Sequence, residues 1–240
     1  MADPILFATC RVDTFDFGGA LTSATGFFYE NGPRLYLVTS QHVFRDDAGN
    51  HFPDRVEIGF HSSLTDLTQM IRYSMPLYRD QMSLWKAASD SDGLVDVVIL
   101  EVDREMLPSE AIYQAFTPAH LPPPGMDIGI GAQFLTIGYP MGFHDSVHHL
   151  PVARQTGLAS AYGIRFQGHG YFLVDARTHR GSSGSPVVMH RPAGGMDTPL
   201  QWWLLGIHSS RLDAGSRDPL LDEALGLNAI WYADILRTLT

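Results

Sequence analysis

The chain of 240 residues carries a single cysteine, Cys10, and a single lysine, Lys86. One cysteine excludes an intramolecular disulfide, so nothing suggests an oxidising compartment. Basic residues are scarce altogether: Lys and Arg number 16 against 26 Asp and Glu, leaving a net charge of −10. That balance argues against nucleic acid and against anionic membrane surfaces as partners. No apolar run reaches the roughly 18 residues of a membrane-spanning helix. The start, Met1-Ala2-Asp3-Pro4-Ile5-Leu6-Phe7, has no basic region ahead of its short apolar stretch, so a secretory leader is not expected and a cytoplasmic location is. Hydrophobic residues at 45% and charged residues at 18% exclude a disordered chain and a coiled coil.

What is plentiful is turn chemistry. The 23 Gly and 15 Pro point to many short strands rather than long helices. The length fits one large domain or two small ones, at about 150 residues per domain. Strand-like runs appear at Thr25–Tyr29 and Arg34–Thr39, separated by Asn31-Gly32-Pro33 in the manner of a hairpin. Others are Arg55–Phe60, Asp96–Val102, Gln133–Ile137, Gly170–Val174, Pro186–Met189 and Trp202–His208. The stretch from Thr117 to Gly125 holds Pro122-Pro123-Pro124 and reads as a stiff, extended linker. It divides an N-terminal β-half, 1–116, from a C-terminal one, 126–240. Only the end reads as helical: Ile230, Ala233 and Leu236 recur at helical spacing over 229–239, with Asn228 as the N-cap.

Three segments invite chemistry. Arg180-Gly181-Ser182-Ser183-Gly184-Ser185-Pro186 sets a serine in a tight glycine turn, where backbone N–H groups can approach a substrate carbonyl. Alone it reads equally well as a polar loop. Thr39-Ser40-Gln41-His42-Val43-Phe44 places a histidine just past a strand. Asp96 heads the apolar run Val97-Val98-Ile99-Leu100, where a carboxylate needs a hydrogen-bonding partner such as an imidazole. Taken singly, His42 could be an ordinary loop residue and Asp96 a strand cap.

Together these segments resemble the trypsin/chymotrypsin-like serine peptidases. Thr-Ser-Gln-His is similar to that family's Thr-Ala-Ala-His, Val-Asp-Val-Val-Ile-Leu to its Asp-Ile-Ala-Leu-Leu, and Gly-Ser-Ser-Gly-Ser-Pro to its Gly-Asp-Ser-Gly-Gly-Pro. The order His, Asp, Ser is also the family's. Val174-Asp175-Ala176, Ile137-Gly138-Tyr139-Pro140 and Thr156-Gly157-Leu158-Ala159-Ser160-Ala161 resemble segments of the disulfide-free bacterial branch that includes the high-temperature-requirement proteases. The resemblance implies an all-β fold of two six-stranded antiparallel barrels with a C-terminal α-helix. It implies His42 as general base, Asp96 as the group orienting it and Ser183 as nucleophile. The N–H groups of Gly181 and Ser183 would form the oxyanion hole. The implied partner is a peptide or protein substrate, without metal or cofactor; the chain says nothing of its oligomeric state.

The departures are informative. Ser182 stands where relatives that mature by cleavage have the Asp that pairs with a new N-terminus, which argues against that switch. Ser185 replaces the family's second Gly, as in the bacterial glutamyl endopeptidases. Thr178, five residues before Ser183, and His208, followed by Ser209, also resemble those enzymes. A hydroxyl and an imidazole can donate to a substrate carboxylate, with Arg177 nearby, so Thr178, His208 and Ser209 are expected to meet the residue before the scissile bond, which would be acidic. His144 and His148 lie four apart, but Pro151 and the preceding turn disfavour a helix that would aim both at a metal. The rival from another class is a catalytically idle module that uses the same cleft to hold a peptide. A second rival, an esterase of another fold, lacks its Gly-x-Ser-x-Gly elbow here.

Overall fold

A computed structural model describes residues 2–91, 93–191, 200–213 and 224–240. After a 3-10 turn at Pro4–Phe7, the first half comprises strands β1 (Thr9–Asp16), β2 (Gly19–Asn31) and β3 (Arg34–Thr39), the short helix α1 (Gln41–Phe44), and strands β4 (Arg55–His61) and β5 (Met70–Pro76). Two dipeptide strands, β6 (Tyr78–Arg79) and β7 (Met82–Ser83), pair only with each other before β8 (Trp85–Asp90) and β9 (Gly93–Val102). The main sheet is antiparallel in the order β5-β4-β1-β2-β3-β9-β8. It has seven strands where six were expected, and β5 and β8 form its two edges.

The second half comprises β10 (Gln133–Gly138), β11 (Val152–Leu158), β12 (Tyr171–Asp175), β13 (Pro186–His190), β14 (Trp202–Asp213) and β15 (Ala224–Tyr232). These close into a six-stranded antiparallel barrel in the order β10-β11-β12-β15-β14-β13. A 3-10 turn, Ala233–Ile235, leads into the terminal helix α2 (Leu236–Leu239). No helix among the described residues is long and apolar enough to cross a membrane.

The central strands are apolar on both sides because they face two cores. Val98, Leu100 and Val102 of β9 point into the first half with Phe28, Leu35 and Leu37, while Val95, Val97 and Ile99 point away from it. The second set meets Val188, Leu204, Ile207 and Trp231 of the barrel, and Leu236 and Leu239 of α2, in a core shared by both halves. Val187, Leu205 and Ile230 face the barrel interior with Phe134 and Phe172. Alternation along each strand thus builds an inner core for each half and a common one between them.

Two sequence expectations need correction. The stretch expected as a helix over 229–239 is strand through Tyr232, and helical only from Leu236. Ala229, Ile230 and Trp231 pair with Leu173, Phe172 and Tyr171 of β12 on one side and with β14 on the other. A short apolar run buried on both faces shows no useful periodicity, and barrel closure decides the matter. Asn228 is accordingly a buried strand residue and not a helix cap. The Pro-rich segment does lie between β9 and β10, but it opens as a 3-10 turn, Pro118–His120, rather than as an extended linker. His120 and Leu121 are buried, and Leu121 belongs to the shared core.

Candidate active site

Helix α1 begins where β3 ends, with Val43 and Phe44 buried as its anchors. His42 is thereby turned toward β9, where Asp96 lies two residues before Val98, the partner of Thr39. Asp96 Oδ1 accepts from the His42 backbone N–H at 3.0 Å, and Oδ2 lies 2.8 Å from His42 Nδ1. The hydroxyl of Ser209 donates to the same Oδ2 at 2.5 Å. An ionised carboxylate only accepts, so the imidazole proton belongs on Nδ1 and the Nε2 lone pair faces away from Asp96. There it meets Ser183 Oγ at 2.8 Å. The Ser183 hydroxyl has a second acceptor within reach, the Ser209 carbonyl at 3.1 Å.

Two opposed influences set the titration of His42. Burial disfavours the imidazolium, but the hydrogen bond and charge of Asp96 outweigh it and hold the pKa above the ordinary value.

The turn around Ser183 is fixed by its neighbours. Thr25 N–H donates to the Ser183 carbonyl at 3.0 Å, and Thr25 Oγ1 to the Gly181 carbonyl at 2.8 Å. The N–H groups of Ser182, Gly184 and Ser185 are taken by the carbonyls of His179, His208 and Ser182. Those of Gly181 and Ser183 have no protein partner among the described residues. Met141 N–H holds the Arg180 carbonyl at 2.5 Å, so the trans peptide directs the Gly181 N–H to the opposite side. Gly181 adopts φ of +87°, and a Cβ there would lie 2.7 Å from the Tyr139 carbonyl. Only glycine fits this position.

A family model of the trypsin-like peptidase domain matches residues 24–191, a span that takes in His42, Asp96 and Ser183. The chain belongs to that family.

Solved structures agree on the fold of this trypsin-like peptidase. A serine endoprotease from Yersinia pestis superposes with a TM-score of 0.54 at 14% identity, covering 97% of this chain and 61% of its own. The chain thus spans about 61% of that protein's length. The scabies mite inactivated protease paralogue S-I1 superposes with a TM-score of 0.58 at 18% identity, covering 98% of this chain and 96% of its own. No curated protein sequence matches the chain.

The remaining expected site residues of the trypsin-like peptidase divide into two groups. Thr178 and His208 do come together, with Asn228 between them. Thr178 Oγ1 donates to Asn228 Oδ1, and His208 Nε2 lies 3.2 Å from that oxygen and 3.3 Å from Thr178 Oγ1. Asn228 Nδ2 donates to the Ala176 carbonyl at 2.6 Å. Burial drives the His208 pKa down to about 4, so the ring is neutral at pH 7. Ser209, expected against the substrate, instead commits its side chain to Asp96, and Arg177 is exposed.

Sequence reasoning missed the roles of Asn228 and of the Ser209 hydroxyl, because each meets partners far away in sequence: Asn228 reaches Thr178 and His208, and Ser209 reaches Asp96 on the other half. His144 and His148 have separate partners: the carbonyl of Gly142 lies 2.6 Å from His144 Nδ1, and the carboxylate of Asp145 lies 2.7 Å from His148 Nδ1. No group of three His, Cys, Asp or Glu among the described residues could hold a metal ion.

Proposed function

We propose that the protein is a serine endopeptidase in which Ser183 is the nucleophile, His42 the general base and then general acid, and Asp96 the group that orients it. The observation that carries this reading is the unbroken chain from Asp96 through His42 to the Ser183 hydroxyl, with a 2.8 Å separation at each of its two links. Ser183 Oγ attacks the scissile carbonyl carbon while Nε2 takes its proton. Asp96 stabilises the resulting imidazolium, and the carbonyl oxygen, now negative, receives the N–H groups of Gly181 and Ser183. His42 returns the proton to the leaving amine, which departs as the acyl-enzyme forms. Water, deprotonated by the same imidazole, releases the acid.

Specificity for an acidic residue before the scissile bond belongs to the same reading. Thr178 and His208 form the floor that its side chain would face, and both now point at Asn228 Oδ1. A substrate carboxylate would compete for those donors and draw His208 toward its protonated form.

A quenched peptide library incubated with wild type and with Ser183→Ala tests both levels. Cleavage by wild type alone, with Glu or Asp before the cut, is the expected result. Cleavage after basic or large aromatic residues would overturn the specificity, and equal cleavage by the Ser183 variant would overturn the mechanism.

A further inference from the structure

We propose that the leaving-group side of the cleft is a subsite for acidic side chains of the substrate, built by Arg11, Arg72 and Arg180. The proposal rests on the endopeptidase reading, because it takes Gly181 and Ser183 as the point where the scissile carbonyl sits.

From that point a bound peptide runs two ways. One side leads to Thr178 and His208. The other leads across the Ser183 turn to β2, which Thr25 ties to the turn through the carbonyls of Gly181 and Ser183. There an open groove of about 540 Å³ begins at Gly181 itself. Arg180, Arg11 and Arg72 line it, with Leu21 and Met141 as exposed apolar members.

The charge of this groove contrasts with the rest of the molecule. Three guanidinium groups meet one carboxylate, Asp13, in a protein of net charge −10. Asp13 Oδ1 is already engaged by Arg11 Nε at 2.7 Å and by the Ser23 hydroxyl at 2.5 Å. Arg72 is held only loosely by Glu57, at 3.7 Å, and its side chain is 72% exposed. Arg180 is exposed and makes no ion pair among the described residues. Two guanidinium groups are thus available to a ligand. A planar donor fork suits a carboxylate, and a partly walled groove concentrates the field of the cations. At about 3.3 Å per extended residue, the second and third residues after the scissile bond fall within the groove.

The test uses quenched peptides amidated at the C-terminus, so that any carboxylate recognised is a side chain's. They are identical except for Glu, Gln or Lys at the second and third positions after the cut. At low salt Glu should exceed Gln in kcat/KM by about fivefold, with Lys slowest, and the advantage should shrink as ionic strength rises. The readout in each variant is its own Glu-to-Gln ratio. Arg72→Gln and the double change with Arg180→Gln should bring that ratio toward one, whereas the remote Arg34→Gln should leave it unaltered. Equal rates for Glu and Gln in wild type, a preference for Lys, or a ratio that survives the double change would overturn the subsite. If no peptide is cut, the endopeptidase reading fails separately. The affinities of the same labelled peptides then decide: a fivefold Glu advantage supports the subsite, and equal binding overturns it.

Discussion

In the proposed mechanism, His42 is the residue at which electrostatics and catalysis pull in opposite directions. Its pKa is raised by Asp96 against the effect of burial, so the neutral base is lost as pH falls through a value above 6.5. Folding has the reverse preference: the stabilisation from the imidazolium–carboxylate pair is complete below pH 6.5 and disappears as pH rises through the folded pKa. The acidic limb of kcat/KM should therefore lie above pH 6.5 in wild type. Asp96→Asn should move that limb downward and reduce kcat by about 10⁴-fold, because the proton is no longer held on Nδ1. A pH–rate profile of both proteins reads the two effects together.

Gly181 supplies a second residue-scale prediction. Gly181→Ala places a Cβ against the Tyr139 carbonyl in a left-handed conformation, so the turn must shift and its N–H moves off the carbonyl oxygen. A fall in kcat of roughly 10²–10³-fold with little change in KM is expected, measured on any cleaved peptide. The proximity of His42, Asp96 and Ser183 was legible only from the three segments taken together, since each alone reads as an ordinary loop or strand cap. The Met141 hydrogen bond that orients the Arg180 peptide was not legible, since it joins segments some forty residues apart, about three to four typical strand-and-turn units.

At the scale of elements, the instructive case is β15. Its Ile230 shares a helical spacing with Ala233 and Leu236, which lie beyond the strand, yet two neighbouring strands hold β15 extended so that Asn228 meets Thr178 and His208. Arg34–Thr39 and Asp96–Val102 were read from sequence because their two faces meet two cores and their composition is continuously apolar, whereas Arg55–Phe60 was read from its alternation of buried and half-buried residues. Edge strand β5 went unread because exposed Arg72 and Ser74 alternate with Ile71, Tyr73 and Met75, leaving only one face apolar, as suits a strand at the sheet margin. Asn228→Leu should cost about 2–4 kcal/mol, since it strips acceptors or donors from Thr178, His208 and the Ala176 carbonyl at once. Urea titration at pH 7 measures it.

The neighbouring strand β14 carries a pH dependence of folding through His208. His208 titrates near 4 when folded against 6.5 ordinarily, so the unfolded chain binds the extra proton between those values. Stability should fall by about 3 kcal/mol as pH drops through that window. His208→Gln should flatten this part of the stability curve, which urea titrations at pH 7 and pH 4.5 compare.

At the scale of the whole molecule, the shared core makes the two halves one cooperative unit. Leu236 of α2 is fully buried among residues of both, and the Lys86 ammonium of β8 donates to the Leu239 carbonyl at 3.3 Å. Leu236→Ala should cost about 2–5 kcal/mol and lower the melting temperature while leaving a single unfolding transition, which calorimetry would show. Splitting into two transitions would mean that the halves fold independently. This coupling has a functional consequence, since His42 and Asp96 lie on the first half and Ser183 on the second: the site exists only while the shared core holds them in register.

Reaction with a fluorophosphonate probe reads whether Ser183 is activated in that assembled site. Wild-type protein should be labelled at Ser183, shown by the mass of the modified peptide; labelling should be abolished in Ser183→Ala and should slow sharply in His42→Ala. Correctly folded wild-type protein that takes up no probe, or that is labelled equally after Ser183→Ala, would contradict that activation.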